Sequence, residues 1–154
     1  MALQAFLDGD ASSGKVGHLD PGKKYYVSGG NLSITNGGSN NGFTLYGHGA
    51  QIRTNPAEVR TALRITRPTY AGFRYEEARI RLLDGISFNA FQDGNADWGI
   101  DVTGAINVTI RNCSFTSGAD GGTSPSVNYG AIRMRQTDNT VPDTGCFWIN
   151  IENC

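Results

Sequence analysis

The chain has 154 residues, a formal net charge of −1 and 18% charged residues. This length suits one domain with a substantial core, and the charge balance argues against nucleic acid or an anionic membrane as a main partner. No stretch approaches the ~20 apolar residues of a membrane-spanning helix, and the start lacks the basic and apolar regions of a signal peptide. We therefore expect no nucleic-acid partner, no membrane insertion and no signal peptide.

The first predicted element is a short helix. Leu3, Phe6 and Leu7 form an i, i+3, i+4 apolar stripe, which predicts a helix over residues 2–8 that ends at Gly9. Such a helix can cover the open first turn of a repetitive β fold, whose strand edges and core would otherwise be exposed.

Short strands recur along the rest of the chain, separated by glycine and asparagine turns. One series comprises Phe43-Thr44-Leu45, Ile80-Arg81-Leu82, Val108-Thr109-Ile110 and Ile149-Asn150-Ile151. A second series comprises Leu32-Ser33-Ile34, Leu63-Arg64-Ile65, Ile100-Asp101-Val102 and Ile132-Arg133-Met134. Because alternate side chains of a strand face opposite ways, the outer residues of each triplet should point inward and the middle one outward. Repetition of this kind predicts an all-β solenoid with about three strands per coil.

The turns after the first series share residue types. Asp84, Asn112 and Asn153 occupy matching positions and tolerate a left-handed backbone at low cost. Cys113 and Cys154 follow at matching positions, where they should stack inward as small hydrophobic side chains. Three cysteines argue against a disulfide framework and for assembly in a reducing compartment.

The two histidines, His18 and His48, have no cysteine at metal-ligand spacing, and there is no nucleotide-binding or Ser-His-Asp motif. We therefore predict no metal and no cofactor.

Several segments carry a resemblance to a known family. They are Ala2-Leu3-Gln4-Ala5-Phe6-Leu7-Asp8, Gly14-Lys15-Val16, Leu19-Asp20-Pro21-Gly22-Lys23-Lys24-Tyr25-Tyr26-Val27, Leu32-Ser33-Ile34 and Tyr46-Gly47-His48-Gly49-Ala50. Together they resemble the start of the right-handed parallel β-helices of the pectate-lyase superfamily, in particular the bodies of bacteriophage tailspikes. The resemblance implies a single right-handed parallel β-helix domain over 1–154, with about five coils. Residues 1–15 would be the capping helix and lead-in, residues 16–154 the coils, and the whole a fragment of a longer chain.

The resemblance also implies a function. It implies a homotrimeric protein of the virion tail or head surface, assembled in the host cytoplasm beside other virion proteins, that attaches to host-surface polysaccharide. Many such proteins also cleave that glycan by hydrolysis or elimination, which leaves depolymerase activity open. Two alternatives also stay open, because a fold does not transmit an activity. One is a purely structural virion shaft or decoration protein, and the other is a fragment of a cellular polysaccharide lyase or hydrolase.

The first candidate site is the column formed by the middle residues of the second series, Ser33, Arg64, Asp101 and Arg133. If the register is right, Asp101 lies one coil from each arginine, at the ~4.8 Å strand spacing. One interpretation is a charge ladder on an exposed sheet, worth under ~1 kcal/mol per pair. The other is a carboxylate held ionised on a surface that binds acidic sugar, with Asp101 as a catalytic candidate.

A second candidate is the loop between Ile65 and Ile80, rich in aromatic, arginine and glutamate residues. Its glycan-binding candidates are Tyr70, Phe73, Tyr75 and Glu76. Aromatic faces stack on sugar rings while charged groups bond hydroxyls, but packing against a neighbouring subunit would select the same residues.

Two further candidates involve tryptophan. Asp93 and Asp97 could form a catalytic carboxylate pair beside Trp98, although aspartate is also an ordinary turn residue. Trp148 lies between two apolar strand residues and should face outward, which suits a contact with sugar or with protein.

Overall fold

The computed structural model describes residues 2–13, 16–27, 32–35, 43–54, 61–66, 80–90, 98–117, 130–136 and 145–154. Within these ranges the chain forms one helix, α1 (Ala2–Ser13), and thirteen strands. The strands are β1 (Val16–His18), β2 (Lys24–Val27), β3 (Leu32–Thr35), β4 (Phe43–Tyr46), β5 (Gln51–Thr54), β6 (Leu63–Thr66), β7 (Ile80–Asp84), β8 (Ser87–Ala90), β9 (Trp98–Thr103), β10 (Ile106–Arg111), β11 (Ser114–Ser117), β12 (Gly130–Arg135) and β13 (Phe147–Glu152).

The strands pair in parallel in three sheets, and every third strand joins the same sheet. Sheet A has the order β1-β4-β7-β10-β13, sheet B the order β11-β8-β5-β2, and sheet C the order β12-β9-β6-β3. Each coil therefore contributes one strand to each sheet, which gives four coils with three strands each and one strand of a fifth. This architecture is an all-β parallel β-helix, and it confirms the predicted solenoid with about three strands per coil.

The core is a set of stacks along the solenoid axis. Aliphatic side chains from all three sheets are buried, and Phe88 stacks on Phe115 of the next coil, with ring centroids 5.3 Å apart and ring planes 9° apart. In the inner coils an inward side chain has a counterpart in the coil on either side, as Ile110 has in Leu83 and Ile151. Sheet C shows the predicted alternation clearly, because Leu63 and Ile65 are buried on either side of the partly exposed Arg64.

The register of one strand differs from the prediction. The triplet Ile80-Arg81-Leu82 places Leu82 inward, but Leu83 is the fully buried residue of β7 and Leu82 is only half-buried. The pairing between β4 and β7 shifts by one residue at Phe43. A bulge of this kind inserts one residue into one strand and reverses the faces beyond it.

The turn after β7 also differs. Asn112 and Asn153 adopt the predicted left-handed conformation, with φ of 52° and 49°. In the third coil the left-handed residue is Gly85, with φ of 71°, and not Asp84. Asp84 belongs to the preceding strand, and its side chain is consequently available to the outer face of sheet A.

Helix α1 covers the first coil and is longer than predicted, since it continues past Gly9 to Ser13. A glycine in a helix interior costs about 1 kcal/mol relative to alanine and does not by itself end a helix. Leu7 is buried, and Leu3 and Phe6 pack against the core as expected. The Gln4 amide donates to the Ser33 carbonyl at 2.8 Å and accepts from its N–H at 2.9 Å. This side chain thus pairs with the edge of β3 as a neighbouring strand would.

Candidate functional site

The outer face of sheet C holds the predicted polar column. Ser33 pairs with Arg64, Arg64 with Asp101, and Asp101 with Arg133, each one coil further along the axis. The alternation of the strands and their parallel register were both predicted correctly here. Four side chains from four coils are therefore brought together on one surface.

Asp101 is the centre of this surface, but its side chain is fully covered, with 0% exposure. Arg133 donates to Oδ2 at 2.6 Å, and Arg135 donates to Oδ2 at 2.9 Å and to Oδ1 at 3.2 Å. The Thr103 hydroxyl donates to Oδ1 at 3.2 Å. Both carboxylate oxygens therefore accept hydrogen bonds. Although Asp101 lies on the outward face of β9, its carboxylate is covered, and it is bonded by the guanidinium groups of Arg133 and Arg135.

The electrostatics of Asp101 follow from this arrangement. Burial acts to raise the pKa of the carboxyl group, but the hydrogen bonds and positive charges of Arg133 and Arg135 outweigh it, and the net pKa is lowered. The group is therefore an ionised counter-ion at neutral pH. A covered carboxylate with a lowered pKa is poorly suited to act as a general acid, and these properties favour a positioning role over a catalytic one.

Trp98 lies beside Arg133, and its neighbour on the adjacent strand is a glycine. Gly130 pairs with Trp98 in the register of β9 and β12. A Cβ atom at Gly130 would clash with the ring of Trp98, so the indole occupies the space that the side chain of any other residue would fill. The guanidinium carbon of Arg133 lies 5.3 Å from the ring centroid, within range of a cation–π contact.

Arg64 differs from Arg111 and Arg133 in its ion pairing. Its Nε atom is buried without a hydrogen-bond partner, as are those of Arg111 and Arg133. Those two arginines each have an ion pair, with Asp84 and Asp101 respectively. Arg64 lies next to Asp101 in register, but no described carboxylate pairs with it, because both Asp101 oxygens already accept from other donors.

The site residues predicted from the sequence thus fall into three groups. Arg64, Asp101, Arg133 and Trp98 lie together on sheet C. Trp148 is 74% exposed, as predicted, but it belongs to β13 of sheet A and takes no part in that surface. The remaining candidates, Tyr70, Phe73, Tyr75, Glu76, Asp93 and Asp97, lie outside the described residues.

Sequence reasoning missed Arg135. This residue lies two positions beyond Arg133 on the same outward face, and its side chain is 47% exposed. The triplet pattern ended at Met134, and so it left Arg135 out. Extending the alternation by one more outward position would have found it, because residues i and i+2 of a strand share a face.

A second polar column, on sheet A, was also missed. One residue per coil contributes to it: His18, Tyr46, Asp84, Arg111 and Glu152. Their strands are in register, so the five side chains follow one another along the axis. The signal was weak in the sequence, because the turns that follow these strands differ in length from coil to coil.

The groups of this second column largely satisfy one another. Arg111 donates to Asp84 at 2.7 Å, and the Asn112 amide donates to the same carboxylate at 2.8 Å. The Arg111 hydrogen bond is the main reason why the pKa of Asp84 is lowered. His18 Nδ1 and His48 Nε2 are 2.9 Å apart, which makes a hydrogen bond between the rings. Mutual pairing of this kind favours a stabilising ladder between coils.

The buried thiol of Cys113 is not suited to nucleophilic chemistry. Cys113, Cys146 and Cys154 are free, and burial raises the pKa of the Cys113 thiol to about 11. Such a thiol is a poor nucleophile at neutral pH. No group of three or more histidine, cysteine, aspartate or glutamate side chains is placed to hold a metal ion in the part of the chain that the structure describes. Within the same ranges, no helix has the length and apolar character needed to cross a membrane.

Comparison of the chain with family models, with curated proteins and with solved structures found no match. The class of protein that its fold defines is a parallel β-helix, and its sheet C has an arginine-bearing outer face with Trp98 at the start of β9, in contact with Arg133.

Proposed function

We propose that this protein binds a polysaccharide through the outer face of sheet C. The observation that carries the proposal is the contact of the Trp98 ring with the partly exposed guanidinium group of Arg133, which shares Asp101 with the partly exposed Arg135. Aromatic faces pack on the apolar faces of sugar rings, while arginine donates hydrogen bonds to their oxygen atoms. A flat parallel sheet repeats such groups at the strand spacing, which suits a long linear polymer.

The biological setting that we propose is attachment of a bacteriophage to its host. The chain resembles tailspike bodies in its capping helix, its early turns and its coil pattern, and the parallel β-helix supports this resemblance at the level of fold. In this setting the glycan is a host-surface polysaccharide, the protein is a homotrimer on the virion, and its other partners are virion proteins. Cleavage of the glycan has no assigned residues on sheet C, since Asp101 is covered.

The two tryptophans of the chain allow a direct test of the binding site. In Trp148→Phe the only tryptophan is Trp98, and in Trp98→Phe it is Trp148. We expect soluble bacterial capsular and lipopolysaccharide-derived polysaccharides to change the fluorescence of Trp148→Phe and to leave that of Trp98→Phe unchanged. The physical reason is that a sugar stacked on Trp98 alters the polarity around that indole alone.

Each variant is the matched control of the other, since both replacements are aromatic and each removes one indole. A response from Trp98→Phe alone would move the site to sheet A and contradict the assignment. If no polysaccharide of the panel changed the fluorescence of either variant, glycan binding itself would be contradicted.

The proposed assembly has its own test. We expect light scattering across a dilution series to give three times the chain mass of 16.5 kDa at every concentration. Stable homo-oligomers with closed symmetry persist on dilution, whereas weak self-association does not. A mass of one chain throughout the series would contradict a tailspike-like trimer.

A further inference from the structure

We propose that the polysaccharide bound by sheet C is acidic and that Arg64 binds its acid groups. This inference rests on the proposed function, since it names the chemical class of the ligand at the same surface. It is carried by the unequal number of positive and negative groups on the strands of sheet C and by the lack of an ion pair at Arg64 among the described residues.

The four strands of sheet C carry one acidic residue, Asp101, against three arginines, Arg64, Arg133 and Arg135. These four strands therefore have an excess of two positive charges, although the whole chain has a net charge of −1. An excess of one sign on a chain of the opposite sign is a local feature, and it attracts ligands of negative charge.

The single carboxylate cannot serve all three arginines. Its two oxygens accept from Arg133, Arg135 and Thr103, and it is completely covered by them. Arg64 lies on the opposite side of Asp101, one coil away, and has no described acidic partner. A partly buried guanidinium without a counter-ion is unfavourable, because it loses hydration without gaining a charged hydrogen bond.

An acidic sugar would supply the missing partner. A carboxylate accepts two parallel hydrogen bonds from guanidinium nitrogens, and this bidentate geometry is the strongest that arginine forms. Ser33 is the neighbour of Arg64 in the preceding coil, where its hydroxyl can bond a sugar hydroxyl. Trp98 and Arg133 lie one and two coils away on the other side. A chain of sugar units laid along the solenoid axis would contact all of them in turn.

The test uses alginate, a polymer composed of uronic acids, and the same alginate after its carboxylates have been reduced to alcohols. We expect immobilised alginate to bind the full chain, and both reduction and Arg64→Gln to weaken that binding by about tenfold, which is typical of one charged hydrogen-bonded pair. Arg64→Lys should lose part of the affinity, because lysine keeps the positive charge but lacks the planar guanidinium group that forms two parallel hydrogen bonds. Raising the salt concentration should weaken alginate binding and not that of neutral dextran.

Lys24→Gln is the matched control, because it also removes one positive charge, here from an exposed side chain at the start of β2 in sheet B. It should bind alginate as the parent does, and melting curves should show that all variants remain folded. Equal binding of alginate and reduced alginate, or equal affinities of Arg64→Gln and Lys24→Gln, would overturn the inference. If neutral polysaccharides bind and change Trp98 fluorescence while alginate has no advantage, glycan binding holds and acid recognition fails. If no polysaccharide binds, both fail.

Discussion

Ile110→Asp is expected to destabilise the protein by several kcal/mol, enough to remove most or all of the stability of a typical domain. Ile110 is fully buried and pairs with Leu83 of the coil before and Ile151 of the coil after. An aspartate there would place a carboxylate between apolar side chains, with no described cation in contact. Thermal and urea unfolding followed by far-UV circular dichroism would measure the effect.

The control for this variant is one residue away. Thr109→Asp places the same new group on the outward face of the same strand, where the side chain is partly exposed. Its cost should stay within about 1 kcal/mol, as for most surface substitutions. If both variants melt within a few degrees of the parent, the assignment of inward and outward faces on β10 is wrong.

The coil pattern could be predicted from the sequence because each inward position is apolar and each outward one is polar in most strands. In β7 this rule does not determine which residues face inward. Leu82 and Leu83 are both apolar, so the pattern does not say which of them is buried. The bulge opposite Phe43 decides the matter, and it depends on how β4 and β7 pair. Such pairing is a contact over some forty residues of chain, which a local pattern does not report.

The line of residues that forms the candidate site could be predicted from the sequence, but the burial of Asp101 could not. Parallel register and strand alternation sufficed to place Arg64, Asp101 and Arg133 in one line. The burial of Asp101 depends instead on the length of the arginine side chains, which reach across a full strand spacing. It also depends on Arg135, which extends the outward face beyond the triplet. Patterns of residue type carry no information on such reach, and so the sequence predicted an exposed ladder where the structure has a covered carboxylate.

Asp101→Asn is the second substitution with a large expected effect. Asparagine keeps the size of the side chain but removes the only acidic group of sheet C, which leaves the guanidinium groups of Arg133 and Arg135 without their acidic partner. Removal of one partner from a fully buried ion pair costs about 3–5 kcal/mol. The side chains of Arg133 and Arg135 are 33% and 47% exposed, so water screens part of their charge and the expected cost is smaller, about 1–3 kcal/mol. We expect the free energy of unfolding at neutral pH to fall by an amount of this order. Asp20→Asn is the control, since Asp20 forms an exposed ion pair with Lys23 and should change stability little.

The pH dependence of the stability difference between the parent and Asp101→Asn separates the effect of the Asp101 charge from that of the shape of the side chain. The pKa of Asp101 is lowered in the folded protein from its ordinary value of 3.8, so its charge stabilises the fold fully above that value. As the pH falls below 3.8 and through the folded-state pKa, the parent carboxylate takes up a proton and this stabilisation is lost. The stability of the parent should then approach that of Asp101→Asn, which has no such group to titrate. A difference between the two proteins that stayed constant from neutral pH to about pH 2 would show that asparagine disturbs packing, and that the arginines of sheet C do not depend on the Asp101 charge.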